Sequence, residues 1–262
     1  MDKMDMVFET SVATHQGCIR TANEDSYLMR PGTGLWAVSD GMGGHQAGQI
    51  ASSLVVEELS HVKECGTASG FLAECTRGLV SANARLRYQA QAMKVDTIGA
   101  TVVLLLVRGN AYACIWSGDS RIYRVRDSEI TQLTRDHSEA EELVARGVIS
   151  REEATNWPRR NVVTRAIGVT EEPELEIVDG LAKLGDTFVL CSDGLTIHVD
   201  DDEICDLVSK SEASDASAAL MKLALERGGR DNVTVVVVRC VAREPTITDP
   251  ERSLASNWAA SA

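Results

Sequence analysis

The chain has 262 residues, 44% of them apolar, 25% charged and 4% aromatic, with a net charge of −13. That apolar share supports a sizeable core and excludes wholesale disorder, and its length suits one large domain or two small ones. Apolar runs such as Val102–Val107 stop at six residues, far short of a membrane span, and an acidic surface poor in aromatic side chains excludes nucleic acid as the expected partner. The start, Met1-Asp2-Lys3-Met4-Asp5, is too charged for a signal peptide, so a cytoplasmic protein is expected. Seven cysteines without a C-x-x-C pair read as reduced thiols, not as a disulfide framework or a zinc site.

In chain order, strands are expected at Val7–Thr14, Ser26–Arg30 and Leu35–Ser39. Helices follow at Ala47–His61 and Ala68–Met93; in the first, Ala47, Ile50, Ala51, Leu54, Val55 and Leu59 recur at helical spacing. A second strand group covers Ala100–Val107, Ala111–Trp116, Arg121–Arg126 and Ile130–Leu133, with turn residues at Gly109-Asn110 and Asp127-Ser128. Ser138 with Glu141 and Ser150 with Glu153 form two S-x-x-E capping boxes, so two short helices start there, and Gly147 is placed to end the first. Strands at Leu175–Val178 and Thr187–Cys191 lead to helices at Asp201–Lys210 and Asp215–Glu226. Gly228-Gly229 stops the last helix, and the β-branched run Val233–Val238 is a buried final strand. Strand groups interleaved with helix pairs suggest stacked sheets with helices outside. Residues 1–242 then form one domain, and 243–262 lose periodicity and read as a flexible tail.

The chemistry lies in aspartates that follow apolar strands. Trp36-Ala37-Val38-Ser39 runs into Asp40-Gly41-Met42-Gly43-Gly44, and Ile115-Trp116-Ser117 into Gly118-Asp119-Ser120-Arg121. Val189-Leu190-Cys191-Ser192 runs into Asp193-Gly194, and Asp231-Asn232 opens the final strand; Arg20 and Asn23-Glu24-Asp25 stand near the start. Any one Asp-Gly is an ordinary turn. As a set, carboxylates gathered at strand ends repel and require counter-charge. Oxygen ligands without cysteine or histidine select Mg²⁺ or Mn²⁺, and two such ions balance the four charges of Asp25, Asp40, Asp193 and Asp231.

In this order the motifs, together with Gly99-Ala100-Thr101 and Thr134-Arg135-Asp136-His137-Ser138, resemble the metal-dependent protein phosphatases of type 2C, in their bacterial serine/threonine branch. The resemblance covers roughly residues 7–240. It implies an α+β fold, a four-layer αββα sandwich of two antiparallel sheets flanked by helix pairs. It implies a two-metal site of Mn²⁺ or Mg²⁺, with Asp40 bridging both ions and the Gly41 carbonyl on one. Asp25 acts directly or through water, Asp193 and Asp231 complete the other ion, and Asp119 shares a third, weaker site with Asp193. Arg20 holds the phosphate. The implied reaction is direct hydrolysis of phosphoserine or phosphothreonine, because a water bridging two divalent ions ionises near neutral pH and attacks phosphorus without a covalent intermediate. A guanidinium grips two phosphate oxygens at once.

The resemblance further implies phosphoprotein substrates made by a bacterial Hanks-type kinase, and a monomer. Two alternatives remain open: a catalytically dead member acting as a binding module, against which all five retained aspartates count, and a phosphatase of a small phosphomonoester. Many eukaryotic members have a histidine where Met42 stands, and methionine donates no proton, so the acid for the leaving group is unassigned. The variable flap, about 139–165, carries Arg159 and Arg160, either a contact for acidic phosphopeptides or an exposed basic turn. His45 reads as a helix-start polar residue and His137 as a residue fixing the chain before the flap. Asp200-Asp201-Asp202-Glu203 reads as a solvated helix N-terminus.

Overall fold

In the computed structural model, residues 6–43 and 46–243 are described. The expected tail beyond Arg243, and Gly44 and His45, lie outside them. Among the described residues eleven strands and seven helices follow the expected order. β1 (Met6–His15), β2 (Asp25–Arg30) and β3 (Leu35–Met42) precede α1 (Gln46–Ser60) and α2 (Ala68–Met93). Then come β4 (Gly99–Ala100), β5 (Val102–Arg108), β6 (Ala111–Ser117), β7 (Arg121–Arg126) and β8 (Glu129–Gln132). The flap holds α3 (Glu139–Ala145) and α4 (Arg151–Thr155). The chain closes with β9 (Glu176–Leu181), β10 (Thr187–Cys191), α5 (Asp193–Thr196), α6 (Asp201–Lys210), α7 (Ala213–Glu226) and β11 (Val233–Ala242).

Two sheets result, one ordered β1-β11-β10-β7-β8 and the other β2-β3-β5-β6-β9, with β4 on the end of β3. All pairings are antiparallel. The two-residue side-chain period of a strand explains how buried runs serve two layers at once. In β5, Val103 and Leu105 point into the centre between the sheets, meeting Trp36, Phe188 and Val236. Leu104 and Leu106 point outward, onto Phe71, Leu79 and Leu86 of α2. In β11, Val236 and Val238 face the centre, while Val235 and Val237 pack on Leu220 and Ala224 of α7. The order is helices, sheet, sheet, helices, the four layers expected.

Local departures have local causes. β3 runs past Ser39 to Met42, so Asp40 lies within a strand, opposite Asp25 in register. The expected strand Ala100–Val107 breaks at Thr101, which turns to bond Ser39 and Asp40. Between α4 and β9 the chain makes isolated bridges, Ser138 to Val163 and Ala100 to Ile167. Helix α5 is a single turn, too short to show periodicity. Ser150 forms a full capping box with Glu153, but Ser138 caps with its own side chain only. Glu141 instead pairs with Arg151, tying the two flap helices together. The β7–β8 turn has Asp127 and Ser128 at φ 52° and 62°, the left-handed pair that a two-residue hairpin requires.

Candidate active site

The acids meet because strand ends from both sheets open on the same side of the sandwich. Asp40 is held through its backbone: its N–H donates to Thr101 Oγ1 (3.1 Å) and its carbonyl accepts from the Thr101 N–H (2.8 Å). The next residue must be glycine, since a Cβ at Gly41 would lie 1.9 Å from the Gly48 carbonyl oxygen of α1. Asp119 sits on the β6–β7 loop, whose Gly118 has φ +119° and lies against Thr101. His137 braces this loop: Gly118 N–H donates to His137 Nδ1 (3.1 Å), and His137 N–H donates to the Gly118 carbonyl (2.8 Å). Asp193 is the first residue of α5, and Asp231 stands just before β11.

Arg20, Asp40, Gly41, Asp119, Asp193 and Asp231 line one cleft of about 570 Å³. Of the site residues expected from the sequence, Asp25 alone lies off its surface. It is buried beside Asp40, and its Oδ2 accepts from Ser192 Oγ (2.8 Å). The Arg20 guanidinium donates to Asp231 Oδ2 at 2.7 Å. A second cleft of about 520 Å³ lies under the flap and shares Asp119, Asn161 and Asp193 with the first.

Burial and the charge of neighbouring carboxylates make Asp25, Asp40, Asp119 and Asp193 unwilling to ionise. Burial pushes Asp25 up to about 6. Burial, then the nearby Asp136, pushes Asp119 up to about 7. Asp40 is raised well above the carboxylate range by burial, then by Asp25, Asp193, Asp119 and Asp231. Asp193 is raised likewise by burial, then by Asp119, Asp231 and Asp25.

Among the described residues no three carboxylate, imidazole or thiol groups already close into a ligand cage; Arg20 and Ser192 hold two of the acids. The donor set nevertheless fits divalent cations. Asp25 Oδ1 and Asp193 Oδ1 are buried acceptors with no hydrogen-bond partner, an arrangement that is costly unless a cation or proton satisfies it.

Some contributors carry no sequence signal of their own. Glu24 lines the cleft, and so do Thr101, Asn161 and Asn232. Glu24, Thr101 and Asn232 lie inside the motifs, beside the residues with an expected role, and Asn161 lies in the flap. Of the flap arginines, Arg159 pairs with Glu139 (3.0 Å), whereas Arg160 faces the second cleft. Asp200 forms a capping box with Glu203 at the start of α6, and Glu203 pairs with Arg227, so the acidic run is a helix N-terminus.

Comparison with known proteins agrees with this geometry. The model of the family "Protein phosphatase 2C" matches residues 9–233. The serine/threonine protein phosphatase PstP of Mycobacterium tuberculosis is 36% identical over 95% of this chain, which spans about half (48%) of that relative's length. A solved structure from Pseudomonas aeruginosa, PppA, described as a key regulatory component of T6SS, superposes with a TM-score of 0.84. It is 40% identical and covers 90% of this chain and 100% of its own. The catalytic domain of PstP in complex with two manganese ions superposes with a TM-score of 0.80 at 35% identity, covering 90% of this chain and 99% of its own. With a family match across nearly the whole described fold, and the family's motifs converging on one cleft, the chain belongs to the protein phosphatase 2C family.

Proposed function

We propose that this chain is a Mn²⁺- or Mg²⁺-dependent protein phosphatase acting on phosphoserine and phosphothreonine. The observation that carries the reading is the convergence of Arg20, Asp40, Asp119, Asp193 and Asp231, from separate segments, on one open cleft. Asp40 with the Gly41 carbonyl, Asp25, Asp193 and Asp231 would hold two ions, and Asp119 with Asp193 a weaker third. When bound, the ions supply charge neutralisation of the phosphoryl oxygens and a water acidic enough to attack phosphorus. The chain's own part is positional. Arg20 binds and orients the phosphate, Thr101 keeps Asp40 aimed at the cleft, and the Gly118–His137 contacts keep Asp119 beside it. The manganese-bound PstP domain supports the metal assignment.

On this reading the substrates are phosphoproteins made by a bacterial Hanks-type kinase, and the chain acts on them as a cytoplasmic monomer. The kinase assignment is supported by the word serine/threonine in the names of two relatives, from Mycobacterium tuberculosis and Listeria welshimeri. Among the described residues no helix is long and apolar enough to cross a membrane. The deciding experiment is hydrolysis of phosphothreonine and phosphotyrosine peptides with Mn²⁺ and after exhaustive chelation. Metal-dependent turnover of the phosphothreonine peptide is expected, and full turnover under chelation would overturn the reading.

A further inference from the structure

We infer that Asn232 is a positioning residue that sets where Arg20 stands in the cleft. The inference rests on the reading of Arg20 as the phosphate-binding group. Residues 16–24 join β1 to β2 without helix or strand of their own, so this segment takes its shape from what it rests on. It rests on Asn232, which is 5% exposed. The Asn232 amide Nδ2 donates to the Gln16 carbonyl (2.9 Å) and to the Ala22 carbonyl (2.8 Å). Its Oδ1 accepts from the Glu24 N–H (2.8 Å). These contacts bracket Arg20 on both sides.

A planar primary amide offers two donors and one acceptor in this fork; a carboxylate of the same size offers no donor. Both amide hydrogens are engaged with the loop, so Asn232 has no side-chain donor left for a substrate and acts through Arg20. The same strand entry holds the loop at two more points. Cys18 N–H donates to the Gly229 carbonyl (2.7 Å), and a Cβ at Gly17 would lie 2.2 Å from the Asp231 carbonyl oxygen. Asn232 N–H also donates to Asp231 Oδ1 (2.8 Å), while Arg20 takes Asp231 Oδ2. The residue that anchors the arginine's backbone therefore adjoins the carboxylate that meets its guanidinium.

The test is a double-mutant cycle on the full chain, using Mn²⁺, a phosphothreonine peptide and inorganic phosphate as inhibitor. Arg20→Ala, Asn232→Ala and the double variant are compared by KM, phosphate Ki, Mn²⁺ affinity by calorimetry, and exchange of the Glu24 amide. Asn232→Asp, which keeps the acceptor and loses both donors, serves if the alanine variant does not fold. Expected are a rise of about tenfold in KM and phosphate Ki for Asn232→Ala, Mn²⁺ affinity within about threefold, faster exchange at Glu24, and a double variant no worse than Arg20→Ala alone. Multiplying effects in the double variant would overturn the inference, as would an unchanged KM in both Asn232 variants. An unchanged KM in Arg20→Ala would instead overturn the reading of Arg20 beneath it.

Discussion

Arg20 and Asp231 illustrate how one ion pair ties two expected roles together. The guanidinium expected to bind phosphate is paired at 2.7 Å with a carboxylate expected to bind metal, and its side chain is 53% exposed, so the pair is easily exchanged for other partners. Arg20→Gln should therefore raise KM for a phosphopeptide by about 10-fold to 100-fold, the worth of one charge-assisted hydrogen bond at about 1.5–3 kcal/mol. Calorimetry should show Mn²⁺ affinity no weaker than in the wild type, since Asp231 loses a competitor. Asp119 predicts a different split. It lies on a loop apart from Asp40 and Asp25, so Asp119→Ala should abolish the weakest Mn²⁺ site in a calorimetric titration and leave the tight sites filled. Loss of the tight sites would place Asp119 among their ligands.

Among the elements, the β6–β7 loop and the flap are built with opposite tolerances. Gly118 has φ +119°, and a Cβ there would lie 2.5 Å from Thr101 Cβ. Gly118→Ala thus combines left-handed strain with overpacking, and should cost about 2 kcal/mol or more. It would be read as a lower urea midpoint at unchanged slope. The flap helices bury little; Ala154 is the one buried residue of α4. Ser150→Ala removes a capping box worth about 1 kcal/mol. That loss should show as faster exchange and proteolysis within residues 139–165 while the global melting temperature holds, because the flap opens independently of the core. A matching drop in the global melting temperature would show that the flap unfolds only with the sandwich.

For the whole molecule, the buried acids make stability depend on pH and metal together. In the folded state Asp25 rises to about 6 and Asp119 to about 7, from an ordinary value near 3.8, and burial raises Asp40 and Asp193 in the same direction. The folded state thus holds these protons more tightly than the unfolded chain. That stability is fully present below about pH 4 and is lost as pH rises through about 6 and 7. Buried His137, lowered by burial, acts oppositely, but only below its ordinary value of 6.5. Between pH 6.5 and 8 the metal-free protein should therefore melt at falling temperature. Mn²⁺ should reverse the loss, by about 2.7 kcal/mol per site at a free concentration 100-fold above Kd. A metal-free melting temperature flat over that range would mean that the acids are solvated or paired.

How much of this was legible in the chain follows from how local each signal is. Helix α2 at Ala68–Met93 and the strand Arg121–Arg126 stand where periodicity places them, because burial of one face writes a 3.6- or 2-residue period into the sequence. Asp-Gly marked Asp40 and Asp193, Gly-Asp-Ser marked Asp119 and Asp-Asn marked Asp231, residue types that oxygen ligation and close backbone approach favour. What the sequence could not show is pairing across distance. That Arg20 meets Asp231, that Asn232 grips residues 16–24, and that Asp25 lies behind Asp40 follow from β1 lying on β11 and β2 on β3. The extension of β3 through Asp40, the break at Thr101 and the single turn of α5 were also decided by tertiary contacts, where hydrogen bonds to distant segments outweigh local propensity. The sequence by itself determined the kinds of residue and their elements. The tertiary structure alone decided which of them share a cleft, because register and layer packing set distances that no local period records.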